Sequence, residues 1–241
     1  MKMKKLVLST LLLGATAGMA QAQTEAGKLL MGGNINYSHF DSDNDQQSTS
    51  STSPLSYKTT NKSSQFNFNP QLGFFLADHL AVGINFNIGF GKQSGSTEDY
   101  LGTLSPSSYA SKGTSKNFGL GPFVRYYKML GDKFALYGQL GSGYQYSEQK
   151  STTDNPNVYS YRSTAKSGFA ALTPGIVFFP TSKIGLEVTV GSLSYYRGKQ
   201  TSYSSAPSYN NSTSRGTTSS FGASFGVSQL ALGAYFYLGR S

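Results

Sequence analysis

The stretch Phe66 to Phe90, FNFNPQLGFFLADHLAVGINFNIGF, decides the fold. Its even positions from Phe66 to Leu76 are apolar, counting Pro70. After Asp78 and His79 they stay apolar through Leu80, Val82, Ile84, Phe86, Ile88 and Phe90. The odd positions carry Asn67, Asn69, Gln71 and Gly73, then Gly83, Asn85, Asn87 and Gly89. A period of two puts alternate side chains on opposite faces of a strand. Two such runs joined by a short turn predict an antiparallel hairpin. A face turned to water normally carries many Lys and Glu side chains, yet here one face is bulky and apolar and the other small, polar and uncharged. That is the pattern of a transmembrane β-barrel, whose lipid-facing and lumen-facing residues alternate.

The chain's first residues address it to the same place. Lys2, Lys4 and Lys5 precede the apolar run Leu6 to Leu13, and small residues lead to Ala20-Gln21-Ala22. This reads as a secretory signal peptide over residues 1–22, cut before Gln23 and too short for a membrane anchor. Three lysines leave with it, so Lys plus Arg falls from 20 to 17 against 11 acids, and the net charge from +9 to +6. So modest and dispersed an excess lacks the concentrated basic stripe of a nucleic-acid binder. The absence of cysteine excludes disulfides and thiolate metal sites. No later run approaches the roughly 18 apolar residues of a spanning helix, so a membrane-embedded mature chain must be a closed barrel.

Working outward from the hairpin, the alternation predicts eight strands in one domain, residues 23–241. The first spans about Lys28 to Phe40 and the next two form the hairpin. The others run about Asn117 to Lys128, Phe134 to Ser147, Gly168 to Phe179, Ile184 to Tyr196 and Phe221 to Leu238. Between them lie polar stretches near 41–64, 92–116, 148–166 and 197–219, rich in Ser, Thr, Asn and Asp. Such a composition builds no core, so these read as solvated, mobile loops. Short turns alternate with them, which gathers the long loops at one, extracellular, end and the termini at the periplasmic end.

An internal repeat supports the count. Pro70, Pro122 and Pro174 recur at a spacing of 52 residues, from 70 to 122 and from 122 to 174, in NPQLGFF, GPFVRYY and TPGIVFF. Proline within a strand is normally confined to edges or bulges, so a bulge is expected at each. The last strand changes parity between Phe221, Ala223, Phe225 and Leu230, Leu232, Phe236, which one extra residue near Ser228 would reconcile.

These features resemble the small outer-membrane β-barrels of Gram-negative bacteria, similar to the OmpA, OmpX and OmpW barrels. PQLGFFLADHLAVGINF looks like the recurrent second-to-third strand hairpin of the Bacteroidota version. The resemblance implies an eight-stranded antiparallel up-and-down barrel in the outer membrane. It also implies delivery by the barrel assembly machinery, since ALGAYFYL, Ala231 to Leu238, looks like the family's carboxy-terminal signal. The chain departs from that signal in continuing through Gly239, Arg240 and Ser241.

Two charges fall on inward positions at similar depth, Arg125 and Glu187. An eight-stranded interior is just wide enough for side chains to fill, so an ion pair across the lumen is expected, supported by Tyr127, Tyr137 and Gln139. It reads either as a gate or as a plug that closes the lumen and fixes register. Inward Gly83, Gly89, Gly119, Gly121, Gly141 and Gly143 leave space for a passage or, equally, for inward rings to pack. Some barrels of this kind modify lipid A with Ser and His. Here the histidines are His79, in a turn, and His39, at the lipid-facing rim, and no triad spacing singles out a serine. Tyr37, Phe90, Phe118, Tyr144 and Phe169 read as an upper aromatic girdle, and Phe74, Tyr126, Phe134 and Phe236 as a lower one. Loop bases, among them Lys58, Lys62, Lys92, Lys112, Lys116, Lys150, Arg162, Lys166, Arg197, Lys199 and Arg215, suit lipopolysaccharide phosphates. Loop tyrosines such as Tyr57 and Tyr203 suit an adaptable contact surface.

The function expected is therefore a monomeric, non-enzymatic, cofactor-free barrel with a structural or surface-interaction role, in contact with outer-membrane lipids and lipopolysaccharide. A narrow channel for small apolar solutes is the alternative. A soluble lipocalin-like barrel would need its apolar residues inside, which the uncharged polar face opposes.

Overall fold

The computed structural model describes residues 22–48, 55–101, 107–154, 160–206 and 209–239. The expected signal segment lies outside them except for Ala22. Ten β segments follow a short 3₁₀ turn at Ala22–Thr24: β1 Leu29–Ser48, β2 Leu55–Ala77, β3 Leu80–Leu101, β4 Ser107–Met129, β5 Phe134–Thr153, β6 Ser160–Thr181, β7 Ile184–Thr189, β8 Gly191–Ala206, β9 Tyr209–Phe225 and β10 Ala231–Leu238. All pair antiparallel. β7 and β8 are one stave interrupted at Val190, and β9 and β10 another, so eight staves close through the β1–β10 and β5–β6 pairings. No helix among the described residues is long and apolar enough to cross a membrane.

The opening hairpin folds as its alternation dictates. Leu72, Phe74, Leu76 and Ile84 face out and are exposed, while Gly73, Phe75 and Ala81 are buried inside. Around the barrel Leu29, Met31, Leu120, Val124, Leu136, Leu140, Leu172, Ile176, Leu186 and Phe236 extend that exposed apolar band. On β1 it runs from Leu29 to Tyr37, about nine residues, the length a tilted strand uses to cross a bilayer's hydrocarbon core.

The polar stretches read as loops are mostly strand. β1 and β2 stay registered from Leu29↔Phe74 out to Ser48↔Leu55, β3 and β4 out to Asp99↔Ser107, β5 and β6 out to Ser151↔Tyr161, and β8 and β9 out to Ala206↔Tyr209. A Ser- and Thr-rich segment cannot build a core, but a ladder needs only backbone donors and acceptors, and the membrane-spanning half of each hairpin supplies the template. Strands of 20 to 23 residues in β1 to β6 thus extend well past the apolar band.

Of the three expected bulges, those at Pro70 and Pro122 are absent, and one occurs opposite Pro174. At Pro70 the β2–β3 ladder lapses between Phe68↔Ile88 and Gln71↔Asn85, yet three residues advance on both strands. At Pro122 the β4–β5 ladder lapses in the same way between Leu120↔Tyr144 and Phe123↔Gly141. Proline withholds a donor but requires no extra residue. Beside Pro174 an extra residue does occur, in the facing strand: Leu172 meets Leu193 while Gly175 meets Thr189. Gly191 there has φ +130° and its Cα–H faces the Ser224 carbonyl, a conformation and an approach that suit glycine.

The single extra residue expected near Ser228 is a larger excursion. Phe225 meets Gly191 and Ala231 meets Thr189, so six residues advance against two. They hold the 3₁₀ turn Val227–Gln229. Beyond it, closure is partial: β10 pairs with β1 only over Leu29–Gly33, and β9 pairs with β8 alone. Among the described residues no strand covers the second edge of β1 above Gly33.

Candidate functional site

The interior near the short-turn end is filled by side chains from five staves. β4 carries Arg125 and Tyr127 inward, β5 Tyr137 and Gln139, β2 Gln71, β7 Glu187 and β10 Tyr235 and Tyr237. Arg125 and Glu187 are 1% and 2% exposed, and the guanidinium Nη1 donates to both carboxylate oxygens, at 2.8 and 2.9 Å. Arg125 also donates from Nε to Gln139 Oε1 at 2.8 Å, from Nη1 to the Tyr127 hydroxyl at 3.0 Å and from Nη2 to Gln71 Oε1 at 2.7 Å. Tyr237 donates to Glu187 Oε1 at 3.1 Å, and Tyr235 to Gln71 Oε1 at 3.0 Å. Thus the two ions lie in a network that meets their hydrogen-bonding capacity, the condition under which a buried pair is tolerated.

Rings complete the cage. The Arg125 guanidinium carbon lies 4.5 Å from the Tyr137 ring centre and 4.9 Å from that of Tyr235, with Phe123 and Tyr127 at 5.6 and 5.8 Å. These are cation–π distances. Three of these four rings lie over a glycine. Tyr137 is registered against Gly175, Tyr235 against Gly32 and Phe123 against Gly83. A Cβ on Gly32 would come 2.5 Å from Tyr235, one on Gly83 2.7 Å from Phe123, one on Gly185 2.8 Å from Tyr237, and one on Gly175 would enter the Tyr137 ring. The inward glycines of this half therefore hold rings.

Beneath the ion pair, Leu30, Phe75, Ala81, Ala135, Val177 and Phe179 form a buried apolar layer. The amino-terminal turn closes it from below. His79 N–H donates to the Thr24 carbonyl at 2.7 Å, its Nδ1 lies 2.6 Å from Thr24 Oγ1, and Ala26 N–H donates to Asp78 Oδ1 at 3.0 Å. His79 is thus a clamp for the chain's start, held at φ 65°.

Above the ion pair the interior turns to amides. Asn87 donates to Asn69, and Asn69 donates to Asn34 Oδ1 at 2.7 Å. A well of about 290 Å³ opens there, between these amides, Asn85 and Gln145 on one side and Phe169 with Tyr196 on the other. Phe169 is registered with Tyr196 and shares the inward parity of Val177 and Phe179, so it is not part of the outer girdle. The one-residue insertion at Val190–Gly191 flips the facing stave's parity and turns Tyr196 inward.

Of the residues singled out from sequence, Arg125, Glu187, Tyr127, Tyr137 and Gln139 converge. Gln71, Tyr235 and Tyr237 join them unexpectedly, although their inward parity could have marked them. His39 lies apart on the outer face, exposed, with Nδ1 2.9 Å from Ser64 Oγ. The nearest outward acid along β1, Asp41, is paired with Lys62 at 3.2 Å. Among the described residues no cluster of three or more His, Cys, Asp or Glu could hold a metal ion.

The sequence from residue 8 to residue 236 matches the profile of the outer membrane protein beta-barrel domain. No curated protein sequence matches the chain. Among solved structures it is similar to the crystal structure of the outer membrane protein OprG from Pseudomonas aeruginosa. The identity is 11% and the TM-score 0.43, over 91% of this chain and 99% of that one.

Proposed function

The chain belongs to the outer membrane protein beta-barrel family, and from that premise we propose that it is a sealed, monomeric barrel whose role is structural and surface-directed. The long hairpins point outward from the cell and the termini face the periplasm. The observation that carries this reading is the Arg125–Glu187 network. It spans the lumen with both ions almost fully buried, over a buried apolar layer.

The outer face supports the second half of the reading. Lys58, Lys62, Lys92, Lys112 and Lys116 share the outward parity of the apolar band, continued past its aromatic rim. A groove of about 280 Å³ beside Tyr37, Phe66 and Phe90 opens under Lys92 and Lys116, a fit for an acyl chain beneath a phosphate. On the other side Lys166 and Lys199 are registered neighbours. Like charges so placed repel unless an anion sits between them. Lipopolysaccharide offers both chemistries, and the barrel assembly machinery is the expected route of insertion. The pairing of His39 with Ser64 is read as an interfacial hydrogen bond and not as a catalytic dyad.

The test is conductance of the purified protein in a planar bilayer. The reading expects no single-channel steps; steady steps from the wild-type protein overturn it in favour of a narrow channel. Retention of lipopolysaccharide through purification should fall in the Lys92→Ala/Lys116→Ala and Lys166→Ala/Lys199→Ala variants. Unchanged retention in both would remove the lipid half of the proposal.

A further inference from the structure

From the well above the ion pair we infer that the barrel holds a binding site for a neutral polyhydroxylated ligand, a saccharide of one or two units, entered from the long-hairpin end. The site is separate from the outer-face lipid contacts and does not depend on whether the barrel conducts.

Three observations define the ligand. First, the residues lining the well are Asn, Gln, Gly, Phe and Tyr, with no Lys, Arg, Asp or Glu among them. The charge bonded to a lining residue, Arg125 through Gln71, and its partner Glu187 are saturated by each other, Gln139, Tyr237 and Gln71. A charged ligand would lose its hydration and find no counter-charge.

Second, the amides are unequally employed. Asn34, Asn69 and Asn87 bond to one another, and Gln71 is held by Arg125 and Tyr235. Among the described residues, however, the side-chain amides of Asn85 and Gln145 have no protein partner. Each offers two N–H donors beside a carbonyl acceptor, a fork that matches vicinal hydroxyls, which both give and take hydrogen bonds. A purely apolar ligand would leave those forks unpaired.

Third, the opposite wall is aromatic. The Phe169 and Tyr196 rings lie 6.4 Å apart, inclined at 36°, and present an apolar surface across from the amides. A ligand meeting both walls must be polar on its edge and apolar on a face, which is the chemistry of a pyranose ring. The volume of about 290 Å³ lies at the small end of ligand sites, which limits the occupant to one or two rings.

The experiment is calorimetric titration of the full mature protein in an amine-oxide detergent, since maltoside and glucoside detergents carry the proposed ligand as headgroup. The probes are a panel of uncharged mono- and disaccharides, the delipidated polysaccharide of lipopolysaccharide, and glycine and acetate as charged controls. We expect at least one uncharged saccharide to bind with a dissociation constant under about 10 mM. The affinity should be independent of salt, and weaker by about ten-fold in Asn85→Ala/Gln145→Ala and in Tyr196→Ala. Heat-modifiable migration certifies that each variant is folded. Binding of the free sugar alone identifies a scavenged solute, and binding of the polysaccharide as well identifies a surface glycan; both outcomes uphold the site. No saccharide binding to the wild-type protein overturns the inference, as does equal binding by the folded variants or preference for a charged control. Conductance tests the plug and leaves this result untouched, so the two readings fail separately.

Discussion

The two halves of the barrel are built from the same hairpins by different means. Near the short turns every stave is paired on both sides, glycines hold tyrosine rings, and one ion pair ties five staves together. Beyond the apolar band the same strands continue as ladders of Ser, Thr, Asn and Gln, with β9 paired on one side only. The difference teaches that regular secondary structure and a packed interior are separable in a barrel: the lower half is held by its side chains, the upper half by its backbone.

The largest expected effect comes from breaking the lower half. Arg125→Ala leaves Glu187 buried without its partner and should cost about 3–5 kcal/mol, read as a fall in the urea midpoint of the detergent-solubilised protein. Arg125→Met combined with Glu187→Leu should recover most of that loss, because the uncompensated charge goes with its partner. A double variant no better than the single one would mean that the lower half depends on the hydrogen-bond network and not on charge balance.

Next in size is a change to one ring's glycine. Gly175→Val puts side-chain atoms where the Tyr137 ring lies, and overpacking of this kind costs about 1–3 kcal/mol. Tyr137→Ala on the same background should relieve the clash. The upper half should respond weakly: removing residues 42–48 together with 55–61, which are paired mainly with each other and with β3, should shift the same midpoint by about 0.5 kcal/mol or less. A large loss would show that the upper ladders support the lower core after all.

The smallest effect concerns Glu148 on β5. Hydrogen bonds from Lys150 and Arg162 hold its carboxyl down at about 2, from an ordinary 4.5. The contacts lie at 2.9 and 2.6 Å. A depressed folded-state value means that the stabilisation is fully present above about 4.5 and is lost as pH falls through about 2. Amide exchange at the outer end of the β5–β6 ladder should quicken over that window, and Glu148→Gln should remove the pH dependence while leaving the lower half unchanged.

Much of the lower half was legible because a membrane-spanning strand has two solvents, lipid and lumen, and each writes its own parity. Parity and depth brought Arg125 and Glu187 together from residues 62 apart. Tyr235 and Tyr237 are equally inward by parity, but in sequence they lie within a strand that resembles an assembly signal. Parity does not give the size of the excursion at 226–230, because it reports only whether the number of inserted residues is odd. The stave beside it had already gained one at Val190–Gly191. The upper ladders look like loops in sequence because composition reports the ability to bury surface, and nothing in Ser- and Thr-rich sequence reports a strand already waiting alongside. The ligand well shares that cause, since it needs Tyr196 turned inward by an insertion the alternation does not foretell.

An unpaired strand edge attracts other strands, and among the described residues β1 above Gly33 is such an edge. Asp41, Asp43 and Asp45 stand exposed along it on the outward face. A second molecule laying its own β1 there would bring the Asp43 and Asp45 carboxylates against a second such pair, Asp41 being held by Lys62. In a crowded membrane such an edge discourages sheet growth between neighbours, so the opening in the wall carries its own deterrent to polymerisation.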